Sequence, residues 1–109
     1  MRRLLERARR VVRRPDGRAI IGAVTEILDR QHAIESRSYD AKTGVMAVAA
    51  ARRVLASLPV ETSGSRQVDL VLDALERLKQ RQAANAGEFA TGAATIGSII
   101  RDVRTRFRP

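Results

Sequence analysis

Apolar residues return every seven positions along most of this chain. That step suits the seam of an α-helix and not a β-strand, whose side chains alternate with period two. Ile20, Ile27, Ile34, Ala41, Val48 and Leu55 form one series, beside a partner row in which Val24 and Val45 flank Gln31 and Ser38. Val68, Leu75, Gln82, Phe89, Ile96 and Val103 form a second, accompanied by Leu72, Lys79, Ala86, Ala93, Ile100 and Phe107. Between the two lies SLPVETSGSRQ, a loop near residues 58–66 with a proline, a glycine and Ser65 as candidate N-cap. The expected fold class is all-α.

Two architectures satisfy this pattern. In the first, each series is one helix of about 40 residues, roughly 60 Å long at 1.5 Å per residue, and the two form a long antiparallel hairpin. In the second, each series breaks, at SYDAKTG and at NAGE, to give a compact four-helix bundle. Gly44, Gly87, Gly92 and Gly97 favour breaks, since a glycine in a helix interior costs about 1 kcal/mol. The seven-residue phase, however, runs through both sites, where a turn usually resets it. The hairpin is therefore the favoured expectation, occupying residues 16–109. A 48-residue shift also aligns AKTGVMAV with FATGAATI, a faint internal repeat.

Ahead of this domain, residues 1–15 form a basic arm. Leu4, Leu5, Ala8, Val11 and Val12 recur at helical spacing among seven arginines, so residues 1–14 read as a short amphipathic helix. RPDG then breaks it, and Asp16 can cap the next helix. The arm leads into RRPDGR rather than an apolar stretch, so no secretory signal is expected. The longest apolar run, VMAVAAA, is far below the roughly 20 residues of a membrane span. The compartment stays undetermined, with cytoplasm or virion favoured.

The charge is polarised. Residues 1–18 carry eight arginines against Glu6 and Asp16, a net +6; residues 101–109 carry four arginines against Asp102, a net +3; the middle is neutral and the whole chain +9. An antiparallel hairpin brings both basic ends to one pole, opposite the loop near residues 58–66. The residues expected to meet a negative partner are Arg2, Arg3, Arg7, Arg9, Arg10, Arg13, Arg14, Arg18, Arg101, Arg104, Arg106 and Arg108. Nucleic-acid phosphates or an acidic protein surface fit best and anionic lipid less well. Arginine's planar fork suits phosphate and carboxylate alike, although a GC-rich genome would give the same excess over lysine.

Catalytic constellations are weak. Asp29, His32 and Ser36 share one helical face, but a working triad needs a base, a nucleophile and oxyanion donors from separated segments. GAATIGS lacks the lysine of a phosphate-binding loop and follows no strand. With one histidine and no cysteine, no metal site, cofactor or small-molecule substrate is expected. The expectation is a non-enzymatic protein.

Aromatics make up only 3% and much of the apolar content is alanine, so a monomer's core would be thin and self-association is the natural remedy. Phe89, Ala93, Ile96, Ile100 and Val103 are the candidate self-association residues. The segment GAATIGSIIRDVRTRF is similar in composition to helical virion components of tailed phages, and that resemblance implies a structural role in a particle. The leading expectation is thus a homo-oligomeric assembly protein with an arginine-rich pole. The alternatives are a nucleic-acid-binding module acting through non-specific phosphate contacts, or a peripheral membrane protein attached through residues 1–14.

Overall fold

A computed structural model describes residues 15–84 and 90–109. These form four helices, α1 (Gly17–Ser36), α2 (Ala41–Ala56), α3 (Gly64–Ala84) and α4 (Ala90–Phe107), and no strand is present among the described residues. The all-α expectation holds, and the chain takes the compact four-helix form. Asp29 and Arg52 form a 2.8 Å ion pair, although one continuous helix would hold residues 23 positions apart about 35 Å from each other. Arg104 meets Glu76 in the same way at 2.9 Å. Each half of the chain is therefore its own antiparallel hairpin, and every helix packs against the other three. α2 and α3 flank α1, while α4 lies diagonally across the core from it.

Side chains make the first break where neither glycine nor proline marks it. The Ser38 hydroxyl donates to the Glu35 carbonyl at 2.8 Å, and the backbone N–H groups of Arg37 and Ser38 reach the carbonyls of Ile34 and Glu35. Those bonds tighten the last turn of α1 and satisfy carbonyls that a continuing helix would otherwise bond. At the other end of α1 the Ala19 N–H donates to the Asp16 carboxylate at 3.0 Å, an N-cap as expected. For α3 the cap is Ser63 rather than Ser65. The Ser63 carbonyl receives the Gln67 N–H at 3.0 Å, and its hydroxyl faces the Arg66 N–H at 3.3 Å.

The core draws on all four helices: Ile20, Val24, Ile27 and Leu28; Ala47, Val48 and Ala51; Val68, Val71, Leu75 and Leu78; Ile96, Ile99, Ile100 and Val103. Only two of these are alanines, so the core is not thin. Branched side chains fill it, each stabilising by about 1.5–3 kcal/mol when fully buried, and most of the alanine content lies elsewhere. Ile34 belongs to the seven-residue series yet is 59% exposed, because it falls in the last turn of α1, where the seam leaves the bundle. Gln31 is buried and Lys79 exposed, so the polar members of the rows have different origins.

Four helices in alternating directions return the first helix start, the second connection and the last helix end to one pole. A hollow of about 180 Å³ is lined there by Pro15, Gly64, Ser65, Phe107 and Arg108 together with Ile20 and Val68. The loop near residues 58–66 thus sits beside the start of α1 and the end of α4 and not opposite them. Packing at this pole is tight: a Cβ on Gly17 would collide with the Glu61 carbonyl, and one on Gly64 with that of Pro15. Buried Gln67 pins the loop, accepting from the Glu61 N–H at 2.6 Å and donating to the Pro59 carbonyl at 3.1 Å.

Candidate nucleic-acid interface

α4 carries its cations on a helical stripe. Gly97, Arg101, Arg104 and Arg108 are spaced by four, three and four residues, so they share one face. That face borders α3, which contributes Lys79 and Glu76 across a groove of about 390 Å³. Gly97 lines the groove as well, and a Cβ there would make an ordinary 3.6 Å contact with the Lys79 Cε. The groove runs from mid-bundle to the pole where Pro15 and Arg108 meet.

Partners divide these cations into two kinds. Arg104 pairs with Glu76 at 2.9 Å, and Arg108 reaches both Asp69 at 2.7 Å and the Ser65 carbonyl at 2.9 Å. Arg101 donates to the neutral Ser98 hydroxyl at 3.2 Å, and Lys79 stands on the opposite wall with its side chain exposed. Exposed ion pairs contribute about 0–1 kcal/mol each, so an incoming phosphate can exchange for the carboxylates at little cost. These arginines also act within the fold, because cations in the last turn of α4 complement the negative end of its dipole.

A second basic area lies on the far flank of α4, where Arg106 and Arg30 border Asp102 and Thr105. The Arg106 guanidinium sits 5.7 Å from the centroid of the neighbouring Phe107 ring. Arg18 is exposed in the first turn of α1, near the shared pole. Pro15, Arg18 and Arg108 thus lie toward one pole of the bundle. Arg2, Arg3, Arg7, Arg9, Arg10, Arg13 and Arg14 lie outside the described residues.

The candidate self-association residues are placed differently from the expectation. Ile96, Ile100 and Val103 are buried in the chain's own core, which leaves no surface on them for a second copy. Ala93 is half-buried, and Phe89 lies outside the described residues. Among the described residues, the large apolar side chains that do face solvent are Ile34, Tyr39, Met46 and Val60. Asp29, His32 and Ser36 are all exposed on α1; Asp29 is paired with Arg52, and the Ser36 hydroxyl donates to the His32 carbonyl at 2.7 Å. None of the described helices is long and apolar enough to cross a membrane.

Comparison with protein-family models, curated proteins and solved structures found no match.

Two groove residues, Lys79 and Gly97, and the flanking Arg30 were not among the expected contacts. Lys79 was visible as the one cation in an otherwise apolar row, which marks where a row leaves the core. For Gly97 and Arg30 the sequence held no comparable signal, because their role depends on which helices become neighbours.

Proposed function

We propose that this protein is a non-enzymatic helical bundle that binds the phosphate backbone of nucleic acid without reading its sequence. The observation that carries this is the α3–α4 groove, in which Lys79, Arg101, Arg104 and Arg108 face only Glu76 and Asp69 among the described residues and lead to the pole where the basic arm joins the bundle. Guanidinium forks suit phosphate oxygens geometrically, and two groove cations have no carboxylate partner among the described residues. With one tyrosine and two phenylalanines in the whole chain, base stacking contributes little, and the binding is electrostatic.

Fluorescence anisotropy with two duplexes of unrelated sequence at low ionic strength tests the reading. It calls for similar affinities for both and a steep loss as salt is raised. Absence of binding by the intact chain at low salt contradicts it.

A second reading, self-assembly into a particle, is favoured by exposed Ile34, Tyr39 and Met46, which cluster in sequence around the α1–α2 turn at the pole away from the start of α1 and the end of α4. Light scattering coupled to size exclusion distinguishes the two, since a strict monomer leaves nucleic-acid binding alone.

A further inference from the structure

Helix α4 carries cations on both of its flanks, and the α3–α4 groove uses only one of them. Successive residues step about 100° round a helix, so Arg104 and Arg106 project about 200° apart, on opposite sides of α4. Arg104 lines the groove with Lys79, Arg101 and Arg108. Arg106 lines the hollow on the other flank, together with Arg30 of α1. Both Arg30 and Arg106 are exposed, and neither forms an ion pair among the described residues. Asp102 is the one carboxylate lining that hollow, so cations outnumber acids there.

Between the two flanks runs a low polar ridge. Ala94, Ser98, Arg101 and Thr105 are spaced by four, three and four residues and so share one face of α4. Ala94, Arg101 and Thr105 are exposed and Ser98 is half-buried. Three of these four side chains are small, which leaves the crest of the helix narrow.

We infer that α4 lies in the major groove of duplex DNA, with its two flanks against the phosphates of opposite strands. This rests on the phosphate-binding reading above and narrows it to one kind of nucleic acid. An α-helix with its side chains is about 10–12 Å across, and the major groove of B-form DNA is about 12 Å wide. Cations on opposite flanks of one helix are therefore spaced to meet the two phosphate rows that border that groove. A single strand offers one row and engages one flank. Duplex RNA offers two rows, but its A-form major groove is deep and narrow and does not admit the helix. Phosphate contacts on both sides fix the helix in the groove without requiring a base contact, so the binding stays indifferent to sequence.

Fluorescence anisotropy with the full chain tests this, using one sequence presented as duplex DNA, single-stranded DNA and duplex RNA at low salt. Duplex DNA is expected to bind at least about tenfold more tightly than the other two. Arg30→Ala/Arg106→Ala breaks no ion pair among the described residues, and unchanged circular dichroism confirms that the variant is folded. On duplex DNA the double substitution is expected to flatten the plot of log affinity against log salt by about 1.8, at roughly 0.9 per phosphate contact. Single-strand affinity is expected to stay within about twofold, because that strand sits on the other flank. Methyl green, which occupies the major groove, is expected to displace the protein, whereas netropsin in the minor groove is not. Equal affinity for single strand and duplex, or a duplex salt slope untouched by the double substitution, would overturn the two-flank arrangement while leaving the α3–α4 groove as a phosphate site. Absence of binding to all three nucleic acids would remove both.

Discussion

Thr95 on α4 donates a 2.9 Å hydrogen bond to Glu35 on α1, joining two helices that lie diagonally across the bundle. The same carboxylate oxygen accepts from Gln31 one turn earlier at 2.8 Å, so a carboxylate enters the interior with neutral donors on both sides. Room for it comes from Gly44 on α2, where a Cβ would collide with the Glu35 carboxyl group. This cluster sits beside the α1–α2 turn, at the pole away from the start of α1. A buried polar group is costly without partners, and this one joins α1 to α4 while Gly44 admits α2.

Gly44→Ala is therefore expected to destabilise the fold by about 1–3 kcal/mol through overpacking against Glu35, despite alanine's better helix propensity. Thr95→Val, which removes a donor from a buried acceptor, is expected to cost about 1–3 kcal/mol. Urea denaturation monitored by circular dichroism measures both. Midpoints equal to that of the parent chain would show that the carboxylate does not depend on these neighbours.

The two hairpins share this device in outline. Forty-eight residues on from Gly44, Gly92 leaves space for Gln82 near the end of α3, as Gly44 does for Glu35 near the end of α1. The weak repeat between AKTGVMAV and FATGAATI thus coincides with a common way of letting the second helix of a hairpin approach the first.

Gly17 and Gly22 provide an internal comparison within α1. At Gly17 a Cβ meets the Glu61 carbonyl, whereas at Gly22 it meets nothing within 4 Å. Gly22→Ala is expected to raise stability by up to about 1 kcal/mol, the propensity gain at an exposed helix interior position. Gly17→Ala is expected to lower it by about 1–3 kcal/mol, because the loop must move. The opposite signs of the two shifts in denaturation midpoint are the readout.

Gln67 controls the loop beside the basic pole. Gln67→Ala leaves the Glu61 N–H and the Pro59 carbonyl without their side-chain partner, an expected loss of about 1–3 kcal/mol. Hydrogen exchange is the more specific check: the Glu61 amide should exchange faster in the variant, while amides at the centre of α1 slow or speed only as global stability dictates.

Ile20, Ile27, Val68, Leu75, Ile96 and Val103 could be read directly from their spacing as interior residues, because periodicity reports burial in any helical packing. Helix length was less legible. The break after Ser36 relies on Ser38 bonding back to a carbonyl, a role serine plays without a glycine or proline to announce it, and the seven-residue phase happens to survive the interruption. That one difference moves the 58–66 loop from the far end of a rod to the pole where α1 starts and α4 ends. It also commits Ile96, Ile100 and Val103, expected to meet a second copy, to the chain's own core. The charge map was legible at the level of segments; the pairing of Arg104 with Glu76 and Arg108 with Asp69 required knowing that α3 and α4 run antiparallel side by side.

The central claim is that the α3–α4 groove holds phosphates, and the salt dependence of nucleic-acid binding tests it most directly. Lys79→Ala/Arg101→Ala removes the two groove cations that pair with no carboxylate among the described residues, so the fold's own ion pairs stay intact. The plot of log affinity against log salt for duplex DNA is predicted to become shallower by about 1.8 on replacing both, at roughly 0.9 per phosphate contact, with weaker binding at every salt concentration. An unchanged slope and affinity would contradict the account and place the contacts elsewhere on the chain.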